Sequence, residues 1–221
     1  MNILLVAATP FEIEPVLAHL RSDYIEYEPF HFQRGEQQVA VLITGVGLPL
    51  TAYSMGRVLA LQAYDLAINA GIAGAFRRDL PIGAVVELVS DIFGDLGVEE
   101  ADGTFTDIHT LGLIDPNQAP FQEGVLCNPA PGGFLPAMKG LSINKVHGFA
   151  PSIEAIQNRF APEVETMESA AFFYACLMQE QPFLAIRAIS NYVEPRNRDN
   201  WNIPLAIEQL NAALFQMLAA F

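Results

Sequence analysis

The sequence predicts an α/β fold in a single domain, residues 1–221, with a central mixed, twisted sheet wrapped by helices. Three observations lead to this fold class. Short runs rich in Val, Ile and Leu alternate with segments of helical period, which is the pattern of βαβ units. A length of 221 residues fits one large α/β domain. Hydrophobic residues make up 52% of the chain and charged residues 16%, as expected for a sheet that helices cover on both faces.

The apolar runs place the strands, and the segments of helical period place the helices. Strands are predicted at Asn2–Ala8, Gln38–Thr44, Leu66–Ala70, Ala84–Phe93 and Phe183–Ile189, with shorter ones at Phe30–Arg34 and Leu141–Asn144. Helices are predicted at Pro10–Leu20, Leu48–Gln62, Ser152–Phe160, Ser169–Gln181 and Pro204–Leu218. Residues 94–140 are rich in Gly, Pro and Asp and allow no assignment, so they are a candidate flap over a site.

Charge and hydropathy exclude two classes of partner. With 25 acidic and 11 basic residues the net charge is −14, which repels a polyanion, so nucleic acid is not expected as a partner. A small nucleoside without phosphate remains compatible with this charge. Apolar stretches are interrupted before the roughly 18 residues that a membrane span needs, so no membrane is expected either.

The first residues form a short apolar run without a basic flank, and Thr9 and Pro10 follow it at once. This run is therefore expected to be a first strand and not a signal peptide, which indicates a cytoplasmic protein. The two cysteines, Cys127 and Cys176, lie far apart, and no histidine has the spacing of a metal site. We expect neither a disulfide nor a metal ion.

Candidate functional residues are sought where strands end, because α/β sheets bind ligands at the carboxyl ends of their strands. Two of the candidates are acids that open helices. Glu12 fits a capping box with Thr9 as N-cap, and it is equally placed to be a general base. Glu168 precedes an almost uncharged helix, so it either compensates the helix dipole or binds a ligand.

Two further segments leave alternatives open. Arg187 lies inside an apolar strand, where a charge needs a partner, so it belongs to a structural ion pair, to a site, or to both. Gly45-Val46-Gly47 follows a strand and opens a helix, but Leu50 replaces the third glycine of a dinucleotide fingerprint. The segment is therefore either a tight turn or part of a substrate-lining wall.

Taken together, four features in this order resemble the purine nucleoside phosphorylase/nucleosidase superfamily: the first strand followed by Glu12, and the segments GIAGAF (71–76), TMES (166–169) and RAISN (187–191). Within it, the sequence is similar to the methylthioadenosine/S-adenosylhomocysteine nucleosidase-like branch, and there to the futalosine hydrolases. The likeness runs over nearly the whole chain. It is tightest in residues 1–16, 66–76 and 163–201 and loose in 94–140.

The resemblance implies roles for individual residues. Glu12 aligns with the acid that activates the attacking water, Arg187 with the arginine that helps to hold the water and the acid, and Glu168 with the glutamate that binds the ribose hydroxyls. Substrate contacts are implied for Ile72, Ala73 and Gly74 (where the family has Ser-Ala-Gly, so the serine hydroxyl is missing), for Met167, and for Val146 and His147 near the purine base. The first glutamate of the family's motif is replaced by Thr166.

Asn191 is the largest departure from the methylthioadenosine-type enzymes, which carry aspartate there as the proton donor to the purine. The asparagine NH₂ can donate to O6 and N7 of a 6-oxopurine, and a purely structural role capping the turn before Tyr192 is the alternative.

The sequence therefore predicts a hydrolase that cleaves the N-glycosidic bond of a 6-oxopurine nucleoside, futalosine, and releases hypoxanthine. By resemblance it would act in menaquinone biosynthesis, without a cofactor, as a homodimer or larger homo-oligomer. The alternatives are a methylthioadenosine/S-adenosylhomocysteine nucleosidase and a non-catalytic nucleotide-binding module.

Overall fold

The computed structural model describes residues 1–221, which form twelve strands and five α-helices. The strands are β1 (Asn2–Ala7), β2 (Ile25–Glu28), β3 (His31–Arg34), β4 (Gln37–Ile43), β5 (Leu66–Ala75), β6 (Val85–Asp91), β7 (Gly97–Glu99), β8 (Phe105–Asp107), β9 (Leu126–Cys127), β10 (Ala137–Ser142), β11 (Val164–Thr166) and β12 (Phe183–Tyr192). The helices are α1 (Glu14–Asp23), α2 (Leu48–Leu61), α3 (Ala150–Phe160), α4 (Ser169–Met178) and α5 (Ile203–Ala220), with 3₁₀ turns at Pro10–Ile13 and Arg198–Asn200.

The main sheet has the order β11-β10-β6-β12-β5-β1-β4-β3-β2 and is mixed. Strands β4, β1, β5 and β12 run parallel to one another, so their carboxyl ends lie at one edge. Strand β6 is antiparallel to β12, and β2, β3 and β4 form an antiparallel meander. The short β11 pairs with β10 and also with the far end of β5, which closes this half of the sheet on itself.

Helices cover both faces of the sheet, and β1 shows how the sequence encodes this. Successive strand residues point to opposite faces. Ile3 and Leu5 join the core beneath α1 and α5, and Leu4 and Val6 join the core beneath α2 and α4. Because both faces are buried, the strand is a continuous apolar run without polar alternation. The predicted α/β fold with a mixed sheet wrapped by helices is confirmed.

One helical stretch, Arg198–Ala220, is long and apolar enough by length and composition to cross a membrane, contrary to the expectation that no stretch qualifies. Its apolar face packs on the sheet: Ala206, Leu210 and Leu214 of α5 are fully buried in the core. The buried core helix of a globular protein passes the same length and composition test.

The largest differences from the predicted elements lie near the closed half of the sheet. Strands β5 and β12 run five and three residues past their predicted ends at Ala70 and Ile189, because β5 finds partners for its far end in both β12 and β11. The predicted strands include neither β2, of four exposed residues, nor β11, which is only three residues long. The unassigned segment 94–140 contains the two-stranded β7–β8 sheet and the short β9.

Candidate active site

A cavity of about 290 Å³ opens where β1, β5 and β12 reach the common edge and β11 meets them. Nine of the ten residues that the sequence singled out line it: Glu12, Ile72, Ala73, Gly74, Val146, His147, Met167, Glu168 and Asn191. Val46 also lines it, so the Gly45–Gly47 turn is both a tight turn with positive φ at its two glycines and a wall of the cavity. No residue of 94–140 lines the cavity, so the expected flap contributes nothing to it in this conformation.

Glu12 fills both roles that its sequence position left open. Its Oε2 accepts hydrogen bonds from the backbone N–H of Thr9 (3.0 Å) and from the Thr9 hydroxyl (3.1 Å), which is the capping-box contact. Its Oε1 accepts from the backbone N–H of Ile72 on β5 (3.2 Å). The side chain is buried against the cavity wall. The cap therefore fixes the carboxylate at a position from which it can accept a proton from a bound water.

Gly71 leaves the space that this carboxylate occupies. A Cβ at position 71 would lie 2.9 Å from Oε1 of Glu12 and 3.7 Å from Nε of Arg187. The backbone of Gly71 has no positive φ, so the glycine is required here for close approach and not for conformation.

Arg187 is the one candidate that the structure places outside the cavity lining. Its guanidinium is fully buried behind the wall, where it donates to the backbone carbonyl and the side-chain oxygen of Asn69 and to the Ser169 hydroxyl (2.7 Å). It forms no ion pair within 4 Å, so of the alternatives left open by the sequence the structural ion pair is the one that the structure does not show. Its Nε has no hydrogen-bond partner.

Arg187 nevertheless acts on the acids of the site through its charge. Burial lowers the pKa of Arg187, and the nearby charges of Glu168, Glu12 and Asp91 oppose that effect. The buried guanidinium is thus a fixed positive charge behind two cavity carboxylates, held there by neutral hydrogen-bond acceptors.

Glu168 is buried at the start of α4 and faces the opposite wall. Its Oε1 accepts a hydrogen bond from the backbone N–H of Gly47 (3.0 Å), which ties α4 to the Gly45–Gly47 turn. Burial raises the pKa of Glu168, and the charge of Arg187 partly offsets this. The carboxylate is a strong acceptor for hydroxyl groups of a ligand, since a charged acceptor strengthens a hydrogen bond.

Asn191 is aimed by an irregularity in β12. The pairing of β12 with β5 shifts between Ile189 and Asn191, so Ser190 is an extra, unpaired residue, and such bulges re-aim the side chains beside them. The Asn191 amide Nδ2 donates to the Tyr192 carbonyl (3.0 Å), and its Oδ1 accepts from the Ser190 hydroxyl (2.8 Å). Because a carbonyl only accepts, this pairing fixes which end of the amide is the donor.

The orientation of Asn191 corrects one detail of the sequence interpretation. One of the two N–H groups is used by Tyr192, so a single N–H remains for a ligand, not two. The glycine at 74 provides the room, since a Cβ there would lie 3.1 Å from Nδ2 of Asn191. Ile72, Ala73 and Gly74 belong to β5 itself and do not form a loop after it.

Glu165 is a cavity residue that the sequence reading missed. It is buried on β11, where it accepts a hydrogen bond from the His147 backbone N–H (3.0 Å) and lies within hydrogen-bond distance of the His147 ring Nδ1. An acid between Val164 and Thr166 in a buried strand carries the same sequence signal as Arg187, a charge that needs a partner. Ser190, Phe11 and Trp201 also line the cavity and were not singled out.

No group of three or more His, Cys, Asp or Glu side chains is arranged to hold a metal ion. The chemistry available at the cavity is that of Glu12, Glu165 and Glu168, the His147 ring, the Asn191 amide and backbone N–H groups. These groups can accept a proton from water, bind vicinal hydroxyls and donate to a planar heterocycle.

Comparisons with known proteins identify the family of this chain and support its fold. Residues 2–124 match the family described as the phosphorylase superfamily. The chain is 32% identical over 180 residues to the futalosine hydrolase of Streptomyces coelicolor, covering 79% of this chain and 76% of the relative. It is 28% identical over 207 residues to the futalosine hydrolase of Thermus thermophilus, covering 90% and 92%. The fold is similar to the native structure of Helicobacter pylori futalosine hydrolase, with a TM-score of 0.80, 14% identity, and coverage of 99% of this chain and 97% of that one.

Proposed function

This chain belongs to the phosphorylase superfamily, and from that premise we propose that it is a futalosine hydrolase. It cleaves the N-glycosidic bond of futalosine, a 6-oxopurine nucleoside, with water and releases hypoxanthine. The observation that carries the proposal beyond the superfamily is the Asn191 amide, which is held so that it presents a donor to the cavity. The relatives from two bacteria that share most of this chain's length support the same assignment.

Cleavage of such a bond passes through an oxocarbenium-like sugar and a departing purine anion. The C1′–N9 bond breaks with its electron pair going to the purine, which leaves as an anion and takes up a proton from solvent, and a water oxygen bonds to C1′. Glu12 accepts the proton of this water, a contribution of about 10²–10⁴ in rate for a positioned base. The Thr9 and Ile72 contacts keep its carboxylate fixed before the reaction begins.

Glu168 accepts the ribose hydroxyls and holds the sugar over the water. Hydrogen bonds to a charged group contribute on the order of 1.5–3 kcal/mol each. Arg187 lies behind the cavity wall and does not touch the substrate. Its positive charge partly compensates the negative charges of Glu12 and Glu168. No covalent intermediate with the protein is needed.

Asn191 recognises the purine. O6 and N7 of a 6-oxopurine are both acceptors, whereas a 6-aminopurine places a donor at N6 beside N7. The free N–H of Asn191 can donate to O6, the acceptor that a 6-aminopurine replaces with a donor, and its Oδ1 accepts a hydrogen bond from the Ser190 hydroxyl. This matching favours futalosine over methylthioadenosine, the substrate of the alternative enzyme.

The test is chromatography of futalosine incubated with the protein, with and without phosphate. We expect hypoxanthine and the free sugar at a rate independent of phosphate. Phosphorolysis needs positively charged side chains that bind the phosphate ion, and hydrolysis does not. A sugar phosphate whose formation rises with phosphate concentration would contradict hydrolysis. Intact futalosine after long incubation, despite measurable binding, would select the non-catalytic nucleotide-binding module.

The setting proposed for this activity is menaquinone biosynthesis in the cytoplasm, in a homodimer or larger homo-oligomer. Apolar side chains exposed along α2 and α4 support the oligomer: Leu50, Tyr53, Leu61, Tyr174 and Met178. The two helices pack together and enclose an open, largely apolar groove of about 520 Å³ on the protein surface. Exposed apolar patches of this kind mark interaction surfaces.

A further inference from the structure

We propose that the outer end of the cavity is a subsite for an aromatic carboxylate, in which Trp201 supplies an apolar face for the aryl ring and Arg196 binds the carboxylate. This inference rests on the proposed function, because futalosine carries an aryl carboxylate on the side of the ribose away from the purine. No lysine or arginine lines the cavity, so such a group needs a further partner.

Trp201 and Arg196 form a stacked pair at the cavity. The indole of Trp201 is half-buried and lines the cavity together with Ile203. The guanidinium carbon of Arg196 lies 5.2 Å from the centre of the Trp201 ring. A cation–π contact leaves the N–H groups of the guanidinium available, and these can bind a carboxylate with two parallel hydrogen bonds.

Backbone hydrogen bonds hold this segment against the cavity at two points. The N–H of Asn202 donates to the Ser190 carbonyl (2.8 Å), next to Asn191, and the N–H of Arg196 donates to the Gly148 carbonyl (3.0 Å), next to His147. Position 148 is a glycine without positive φ, and a Cβ there would lie 2.9 Å from Cβ of Arg196. Gly148 therefore allows the close approach that brings Arg196 beside the His147 wall.

The charge of Arg196 is unused within the protein. Its guanidinium forms no ion pair and no hydrogen bond. Glu194, the nearest acid in sequence, is already occupied by Arg78 (2.8 Å) and by the Asn200 amide (2.7 Å). A chain with only 11 basic residues against 25 acidic ones thus leaves one arginine unpaired beside its cavity.

The cavity itself makes such a cation necessary for an anionic substrate. Glu12, Glu165 and Glu168 all line it, and charges this close are only weakly screened, since the Debye length at physiological salt is about 8 Å. A substrate carboxylate would be repelled by these acids unless a positive charge at the outer end offsets them. A substrate whose aryl group carries no charge would gain no binding energy from the charge of Arg196.

The experiment measures binding without turnover, in protein carrying Glu12→Gln, by calorimetry with futalosine and with its neutral methyl ester. Adding Arg196→Ala is expected to weaken futalosine binding by roughly 10- to 100-fold, because a bidentate charge-assisted contact is lost, and to change ester binding by less than about twofold. Arg196→Lys should fall between, since lysine binds as a point charge. The matched control is Arg198→Gln, which removes one charge from the same exposed segment and should leave both affinities unchanged.

Three results would overturn the subsite. Arg196→Ala could weaken the binding of futalosine and of its ester equally, Arg198→Gln could have the same effect as Arg196→Ala, or neither compound could bind. Trp201→Ala should weaken both compounds, because the aryl face serves either one; an effect on neither would overturn its role. Turnover of futalosine by the unaltered protein decides the proposed function separately. Hydrolysis of futalosine together with an unchanged preference for acid over ester in Arg196→Ala would remove the subsite and leave the hydrolase in place.

Discussion

Glu12 uses its two carboxylate oxygens on different neighbours, one on the turn that it caps and one on the strand across the cavity. A capping box and a catalytic base are usually treated as competing explanations of one residue. Here the cap contact immobilises the carboxylate that we propose as the base, so the two explanations are compatible. At the scale of single residues, the site depends on side chains that have both a structural and a functional contact, and on glycines that leave room for them.

Gly71 gives a direct test of how closely Glu12 must be held. Gly71→Ala places a Cβ 2.9 Å from Oε1 of Glu12, and the end of that side chain must move. Since a misplacement of about 1 Å can cost as much as 10²-fold in rate, we expect kcat to fall by 10- to 100-fold. Steady-state kinetics with futalosine measures the change, and thermal unfolding should shift little because only a side-chain tip is displaced.

The control is Gly56→Ala on α2, where an added Cβ meets nothing within 4 Å. It should raise stability by about 0.5–1 kcal/mol, the helix preference of alanine, with kcat unchanged. Unchanged kcat in Gly71→Ala would mean that the position of Glu12 does not limit turnover.

Asn191→Asp tests the purine-recognition role. An ionised aspartate accepts from a 6-amino group and repels O6, so cleavage of futalosine should fall far more than any cleavage of methylthioadenosine. A site that hydrogen-bonds one edge of a ligand discriminates by up to about 10⁴ when the wrong partner leaves groups unpaired. The measurement is kcat/KM on both substrates. The same loss on both would leave Asn191 as a structural residue of the bulge.

The sequence identified most of this site because acids and amides after apolar strands are conspicuous. It could not separate Arg187, which lies behind the wall, from the residues that line it, because burial within a strand does not tell which face of the sheet a side chain reaches. Glu165 was missed because β11 is too short to show a strand pattern. Trp201 was missed because a tertiary contact, the Asn202 to Ser190 hydrogen bond, brings its segment to the cavity.

At the scale of elements, the site depends on where strands end and on what closes them. Strands β5 and β12 continue past the apolar runs that predict them. Gly74 and Asn191 lie in these additional residues. The apolar runs predict ends for both strands that are too early, because the small and polar residues that follow do not continue an apolar run. The pairing that extends β5 comes from β11, a contact between segments about ninety residues apart in sequence.

Helix α4 positions Glu168, and its stability rests on aromatic packing. Phe173 is fully buried, with its ring 4.7 Å from that of Phe183 on β12 in an edge-to-face arrangement. Phe173→Ala should lower the free energy of unfolding by about 3–5 kcal/mol through lost contacts and a cavity. Urea denaturation measures the loss. The matched control is Phe149→Ala, whose ring is 69% exposed and whose effect should stay within about 0.5 kcal/mol.

A small loss in Phe173→Ala, equal to that of the exposed control, would mean that α4 is held by other contacts. Such contacts include the hydrogen bonds from Arg187 to the Ser169 hydroxyl and from the Ala170 N–H to the Ser142 hydroxyl at its first turn.

At the scale of the whole molecule, the many apolar side chains lie in two places. Most of it fills the cores on the two faces of the sheet, as the continuous apolar strands predicted. The rest lies exposed on α2 and α4, where sequence periodicity alone cannot distinguish a buried face from one that a second copy would cover. Tyr53 is 70% exposed and Leu61 80% exposed on this surface.

We expect light scattering at micromolar protein to give the mass of a dimer or a larger closed assembly. Tyr53→Glu should shift the mass toward the 24.1 kDa monomer, because a charge buried in an apolar interface is costly. The control Arg21→Glu, at an exposed position of α1 on the other face of the sheet, should leave the mass unchanged. A monomeric mass for the unaltered protein would exclude the oligomer.

We propose that this cavity recognises a 6-oxopurine nucleoside that carries an aryl carboxylate. The most direct measurement is kcat/KM for futalosine and for methylthioadenosine with the same preparation of unaltered protein. The donor offered by Asn191 and the acceptor edge of hypoxanthine predict a preference for futalosine of at least about 10²-fold. Cleavage of methylthioadenosine at an equal or higher kcat/KM would contradict it.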